Sequence, residues 1–244
     1  MESRPVTVPA YSFQVSVVAP FRDEKDNLGL LVSEIERALR GANAEEFEII
    51  LVDDFSSDGG AASVNQRNNI RVVQLLSPCG QSAAMWRGIE EARGRWIVTL
   101  DADLQNDPAD IPRLLEVAGK GDYDLVCGWR QNVQESSFRK ISSNVANCVR
   151  RAVFGDPAHD TGCTLKVMKS SFAKRLPNWN GMHRFIPTYA AIWGLRQTEM
   201  PVRHRLRLHG ESKTRQLSRA CAATRDLFFM LGEKRRAARA ATVL

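Results

Sequence analysis

The chain has 244 residues, 43% of them hydrophobic and 25% charged, a globular composition that excludes disorder over most of its length. Its 34 Lys and Arg against 28 Asp and Glu leave a net charge of +6, which calls for a polyanionic partner: nucleic acid, a phosphorylated substrate or an anionic membrane surface. Five cysteines without a C-x-x-C pair exclude a disulfide framework and a zinc site of the usual spacing.

In chain order, Val15-Ser-Val-Val-Ala19 is a short apolar run closed by Pro20, and Leu28, Leu31, Ile35 and Leu39 then recur at helical spacing, so a strand followed by a helix over 27–39 is expected. Phe47 to Val52 reads as a second strand, stopped by the turn formers Asp53-Asp54-Phe-Ser-Ser-Asp-Gly-Gly60. Arg71 to Leu76 is a third strand, Ser82 to Ala92 a helix, Trp96 to Leu100 a strand ending at Asp101, Pro108 to Val117 a helix, and Asp124 to Gly128 a fifth strand. Strand and helix alternating in this way predict a mostly parallel α/β sheet with helices on both faces, whose ligands lie at the carboxyl ends of the strands. In the less regular second half, Phe138, Ile141, Val145, Val149 and Ala152 share one helical face. It is read as turned to the core, with a membrane-facing orientation as the alternative. Leu217, Cys221, Thr224, Phe228 and Leu231 form a second such stripe among arginines.

Acidic residues collect where these strands end. Asp101 and Asp103, two apart, can lean toward one hard divalent cation, with Gln105 adding a neutral oxygen; the plainer alternative is a pair of acids capping the turn before Asp107-Pro108. Together with Glu24, Asp53 and Asp54 they suit a nucleotide and its metal, one carboxylate accepting from base or ribose and another holding the cation on a diphosphate. Neither G-x-G-x-x-G nor a P-loop occurs. The four histidines lack metal-ligand spacing, and the five tryptophans read as core or interface residues.

In this order, Val15 to Pro20 with Glu24, Val52-Asp-Asp-Phe-Ser-Ser-Asp-Gly59, Gly80-Gln-Ser-Ala-Ala84, Leu100 to Pro108, Asp160-Thr-Gly-Cys-Thr-Leu-Lys166 and His204 to Lys213 resemble family 2 glycosyltransferases of GT-A fold. Within that family they look like the branch of dolichol-phosphate mannose synthase and bacterial polyprenyl-phosphate glycosyltransferases. The resemblance runs from about Ser12 to about Phe229 and implies one domain: a nucleotide-sugar-binding half over 12–125, an acceptor half over 126–215 and a basic amphipathic tail over 216–244. It places Pro20, Glu24, Asp53 and Asp54 around the base and ribose, with Gln81 nearby. Asp101, Asp103 and Gln105 would hold Mg2+ or Mn2+ on the donor diphosphate, and Arg205, Ser212 and Lys213 would close over the phosphates. Arg130, Arg139 and Ser143 would receive the phosphate of a polyprenyl acceptor. Asp103, Arg130 and Asp160 are the candidate catalytic residues; Asp160 is an orienting acid or base by this resemblance, and a turn acid before Gly162 on its own terms.

A polyprenyl phosphate is already an oxyanion near neutral pH, so its attack on the donor sugar does not strictly need a base, and in-line displacement inverts the anomeric centre. The expected product is a polyprenyl-phosphate-linked monosaccharide for cell-envelope glycan or lipopolysaccharide modification. The alternatives are a family 2 transferase acting on a sugar or lipid hydroxyl, with Asp160 as base, and a non-catalytic polyanion-binding module. Relatives often continue past the Ser-Lys segment into membrane helices. Here no window reaches the roughly 18 apolar residues of a span, and Met1-Glu-Ser-Arg-Pro5 lacks a signal pattern. The expectation is peripheral association with the cytoplasmic face of the inner membrane, through the basic tail, the amphipathic faces or an integral partner subunit, and no nucleic-acid partner. Thr214 after Lys213, and Ser77-Pro78-Cys79 before Gly80, depart from the family pattern and bear on the fit of donor or acceptor.

Overall fold

The structure is a computed structural model that describes residue 11 and residues 13–130, 147–206 and 217–242. Arg139, Ser143, Ser212 and Lys213 lie outside the described residues. Seven strands form one sheet: β1 Phe13–Phe21, β2 Phe47–Asp53, β3 Ile70–Gln74, β4 Gly94–Thr99, β5 Leu125–Arg130, β6 Lys166–Lys169 and β7 Gln197–Val202, in the order β3-β2-β1-β4-β6-β5-β7. All pairs are parallel except those of β6, which runs antiparallel to both β4 and β5.

The helices are α1 Lys25–Gly41, α2 Gly60–Ser63, α3 Gln81–Glu91, α4 Ile111–Lys120, α5 over residues 147–154, α6 Ser170–Ala173, α7 Met182–Ile192 and α8 Leu217–Thr242. β2 is buried at every residue, as a central parallel strand covered on both faces must be. One core packs α1 and α4 against the sheet through Leu28, Leu31, Ile35, Leu39 and Leu114; the other packs α3, α7 and α8 through Met85, Ile89, Ile186, Tyr189 and Met230. Gly88 lets α3 approach the sheet, since a Cβ there would lie 2.4 Å from Val18 Cγ1 and 2.9 Å from Val52 Cγ2.

The first half follows the predicted elements to within a few residues. The helix foreseen from Pro108 begins as a 3-10 turn, Pro108–Asp110, capped by Asp107, whose side chain accepts from the Ala109 N–H at 3.0 Å, and then continues as α4. Strand β3 stops at Gln74 and leaves Leu76 96% exposed. Of the core-facing stripe expected over five residues, Phe138, Ile141 and Val145 lie outside the described residues, and at Val149 and Ala152 it is corrected. Both residues are exposed, and α5 buries Arg150 and Phe154 instead, because the Arg150 guanidinium is neutralised by Asp156 (Nε to Oδ2, 2.7 Å), itself fully buried.

Candidate active site

The donor-side residues come together at the carboxyl ends of β1, β2 and β4. Pro20 is buried in β1, and Glu24, one turn past that strand, accepts from the Asn27 amide at 2.5 Å. Asp53 ends β2 and accepts from the Ser56 N–H at 2.8 Å, while Asp54 accepts from the Cys79 N–H at 2.7 Å and the Gly80 N–H at 3.0 Å. Those two bonds draw the start of α3 against β2 and so place Gln81, whose amide donates to Asp101 Oδ1 at 2.6 Å. Asp103, 7% exposed, accepts from the Gln105 N–H at 3.1 Å, and Leu104 between them holds a left-handed φ of 61°.

Burial, and after it the charge of Asp103, push the Asp101 carboxyl up to about 6. The Asp103 charge that raises the proton affinity of Asp101 is a repulsion a divalent cation would relieve, so the residues fit Mg2+ or Mn2+. Among the described residues, no group of three or more His, Cys, Asp and Glu side chains is gathered as a metal cage. Asp101, Asp103 and the Gln105 amide would therefore be a partial set, in need of oxygens from elsewhere.

The acceptor side lies across β6. Because β6 is antiparallel, the loop that precedes it, not the one that follows, reaches the edge where β4 and β5 end. Asp160 in that loop clasps Arg130 at the end of β5: Oδ2 accepts from Nε at 2.7 Å and from the backbone N–H at 3.2 Å, and Oδ1 accepts from Nη2 at 2.9 Å. Gly162 and Cys163 N–H groups add two bonds to Oδ1, each 3.1 Å. Burial alone would raise the Asp160 carboxyl, but its hydrogen bonds and charge pairing with Arg130 prevail and hold it below the usual range. Arg130 also feels the charge of Asp101, across the edge where β4 and β5 end.

Arg205 sits elsewhere in this conformation. Its guanidinium donates to Glu34 of α1 at 2.7 and 3.0 Å and pairs with Asp107 at 2.6 Å, while its backbone N–H donates to the Gln105 carbonyl at 2.8 Å. The segment of Arg205 is thus tied to the metal-side turn, while its side chain is held by carboxylates.

Several supporting residues escaped the sequence reading. Thr164 links the halves: its hydroxyl bonds the Asp101 side chain and accepts from the Asn106 amide at 2.9 Å, and its carbonyl accepts from Thr99 Oγ1 at 2.7 Å. Lys166 is 1% exposed, donates to the Cys163 carbonyl and lowers the proton affinity of both Asp101 and Asp160. Ser82 accepts from the Gly181 N–H at 2.9 Å and bonds His183 Nδ1 at 2.7 Å. Burial pushes His183 down to about 3, so it is neutral. Thr164 and Lys166 lie in the same sequence motif as Asp160, but the partners of Thr164 and Ser82 are 58 to 101 residues away, beyond any local pattern. Of the remaining histidines, His159 bonds Glu199 at 2.7 Å, as expected of a hydrogen-bonding residue, whereas His204 Nδ1 is buried with no hydrogen-bond partner among the described residues.

With this geometry in view, the chain was compared with known proteins. The model of "Glycosyl transferase family 2" matches residues 16–190, from the first strand through the second half-site to α7. The chain belongs to glycosyl transferase family 2. Among its curated family 2 relatives, the dodecaprenyl-phosphate galacturonate synthase of Rhizobium johnstonii is 40% identical over 215 residues, covering 84% of this chain and 63% of that one. The undecaprenyl-phosphate 4-deoxy-4-formamido-L-arabinose transferase of Edwardsiella ictaluri is 40% identical over 206 residues, covering 82% and 62%. The chain thus spans a little over three-fifths of the length of these curated relatives. Glucosyl-3-phosphoglycerate synthase of Mycobacterium tuberculosis, crystallised with Mn2+, UDP and glucosyl-3-phosphoglycerate, superposes with a TM-score of 0.66 at 19% identity, covering 91% of this chain and 80% of the other. That likeness identifies the fold as GT-A, as the motif order implied.

Proposed function

We propose that this family 2 glycosyltransferase moves a sugar, with inversion, from a nucleotide-sugar to a polyprenyl phosphate. The observation that carries the reading is the apposition of two unlike clusters across β6: carboxylates able to bind a nucleotide and its cation, and an arginine whose orientation a carboxylate fixes. The names of the two curated relatives, both acting on polyprenyl phosphates, support the acceptor class.

In this reading Asp53 and Asp54 accept from the base or ribose, and Asp101, Asp103 and Gln105 hold Mg2+ or Mn2+. That ion, when bound, neutralises charge on the diphosphate as it leaves. Arg130 presents N–H donors to the acceptor phosphate, and Arg139 and Ser143 complete that site; Ser212 and Lys213 cover the donor phosphates, joined by Arg205 on its release from Glu34 and Asp107. The Arg130–Asp160 clasp favours a phosphate acceptor over a hydroxyl. A base must take a proton, but Asp160 is committed to five N–H donors and its proton affinity is depressed. A phosphate monoanion or dianion brings its own negative oxygen and needs only to be held near the anomeric carbon. Galacturonate or an aminoarabinose derivative is the donor sugar to test first, after the relatives.

Among the described residues no helix is long and apolar enough to cross a membrane. We place the chain at a membrane surface through α5 and α8. α8 is anchored by Asp226 to Arg184 at 2.8 Å and by Phe229 against Trp179, yet exposes 70% of Phe228 and carries Lys234, Arg235, Arg236 and Arg239. Apolar side chains beside cations suit an anionic interface, and a cytoplasmic leaflet is where a nucleotide-sugar is at hand. An integral partner subunit belongs to the same proposal.

The test is transfer of labelled sugar from UDP- and GDP-linked donors to undecaprenyl or dolichyl phosphate, with Mn2+ and with chelator. Metal-dependent formation of one lipid-linked monosaccharide supports the reading; product only with a hydroxyl acceptor overturns it.

A further inference from the structure

Resting on the donor reading above, we infer that Phe55 and Leu76 form an apolar clamp on the donor's nucleobase, and that a strained backbone holds the Phe55 ring in place for it. Phe55 has φ 62°, a left-handed conformation in which an aromatic residue is disfavoured and a glycine would rest without cost. Such strain persists only where the surroundings impose it. Here they do. The Asp54 N–H is held by the Phe21 carbonyl at 2.9 Å, the Ser56 N–H by Asp53 Oδ1 at 2.8 Å, and the Ser57 N–H by Asp23 Oδ1 at 2.7 Å, while the Asp23 N–H donates back to Ser56 Oγ at 2.9 Å. The chain is pinned on both sides of Phe55.

The fold does not use the ring that this strain displays. Phe55 is 53% exposed and belongs to neither core. Leu76 is 96% exposed. Both follow the ends of adjacent strands: Asp53 pairs with Gln74 across β2 and β3, the Leu75 N–H donates to the Asp53 carbonyl at 2.9 Å, and each apolar residue lies two positions beyond that pair. Asp54, accepting from Cys79 and Gly80, draws the rest of the Leu76 loop alongside. Two large apolar side chains are thus offered to solvent beside two carboxylates. A ligand that answers both needs flat π-faces for the side chains and N–H groups on its edge for an acid. A nucleobase has both, whereas a diphosphate would be repelled by the acids and a sugar ring has no π-face.

The experiment is calorimetric titration of the full chain, in Mn2+, with UDP, GDP and inorganic pyrophosphate, for wild type, Phe55→Asn, Phe55→Gly and Leu76→Ala. Asparagine and glycine both accept a left-handed φ, so Tm is expected to stay level or rise in the Phe55 variants. Affinity for whichever nucleotide the wild type binds is expected to fall by roughly 5- to 150-fold at Phe55, the range of one lost base-stacking contact, and by less at Leu76, with pyrophosphate affinity unchanged. Nucleotide affinity that holds in the Phe55 variants, or that falls in step with pyrophosphate, overturns the clamp and leaves the donor reading standing. A wild-type chain that binds neither nucleotide overturns both.

Discussion

Replacing Asp160 with asparagine separates an orienting acid from a base. The wild-type carboxylate receives three N–H bonds from Arg130 and one each from Gly162 and Cys163. An amide accepts through one oxygen only and turns its NH2 toward groups that are themselves donors. The pair is 23% and 15% exposed, between a surface ion pair worth about 0–1 kcal/mol and a buried pair whose breaking costs about 3–5 kcal/mol, so a loss of about 2–3 kcal/mol is expected at pH 7. For a chain of this size Tm should fall by about 5–10 °C. The sign with pH follows from the depressed proton affinity. A carboxyl held below its unfolded value of about 3.9 contributes stability that is fully present above that pH and vanishes as pH falls through the folded value. Urea melts of both proteins at stepped pH should therefore converge on acidification. In the transfer assay, KM for the lipid phosphate should rise with donor KM unchanged, and the pH profile of kcat should keep its shape. Loss of its acidic limb, or a stability gap under 0.5 kcal/mol, would refute the orienting role and restore Asp160 as a base.

Four further outcomes are expected. Since metal must displace a proton from a carboxyl raised to about 6, Mn2+ affinity measured by calorimetry should be level above that pH and fall about tenfold per unit below it; a flat dependence down to pH 4.5 would remove Asp101 from the ligands. Arg150→Met leaves Asp156 buried and unpaired, a loss of about 3–5 kcal/mol by urea melts, and adding Asp156→Asn should recover part of it in a double-mutant cycle. Gly88→Ala sets overpacking of about 1–3 kcal/mol against a helix-propensity gain of about 1 kcal/mol, so a net loss of up to about 2 kcal/mol is expected, and a rise in Tm would mean that α3 can move off the sheet. Phe228→Ser should weaken co-sedimentation with anionic vesicles at low salt while leaving the melting temperature unchanged; equal binding would move the docking face away from α8.

The parallel half was legible because its strands are continuous apolar runs, such as Phe47 to Val52, each stopped by turn-forming acids, and those same acids are the donor site. β6 was not: it is four residues long and bracketed by lysines, of which Lys166, between Thr99 of β4 and Cys127 of β5, is buried. α7 carries Pro187 in its interior, which argues against a helix locally, yet Ile186 and Tyr189 on either side are buried in the core that forms it. Helical spacing correctly grouped Val149 with Ala152 but could not say which side of the cylinder faces inward, because that was decided by Asp156, an ion partner beyond the helix end. The grip of Glu34 on Arg205 spans 171 residues and leaves no trace in either local pattern.

The antiparallel setting of β6 also bears on how this site can change over evolutionary time. Among the described strands, β6 alone pairs with both β4, which leads to Asp101, and β5, which ends at Arg130. Insertions between β5 and β6 would change what surrounds Arg130 and Asp160 without shifting any ladder of β1 to β4. On the function proposed above, a lineage could therefore exchange one acceptor for another by rewriting that connection alone, while nucleotide recognition descends unaltered, provided the short strand that joins the two keeps its register.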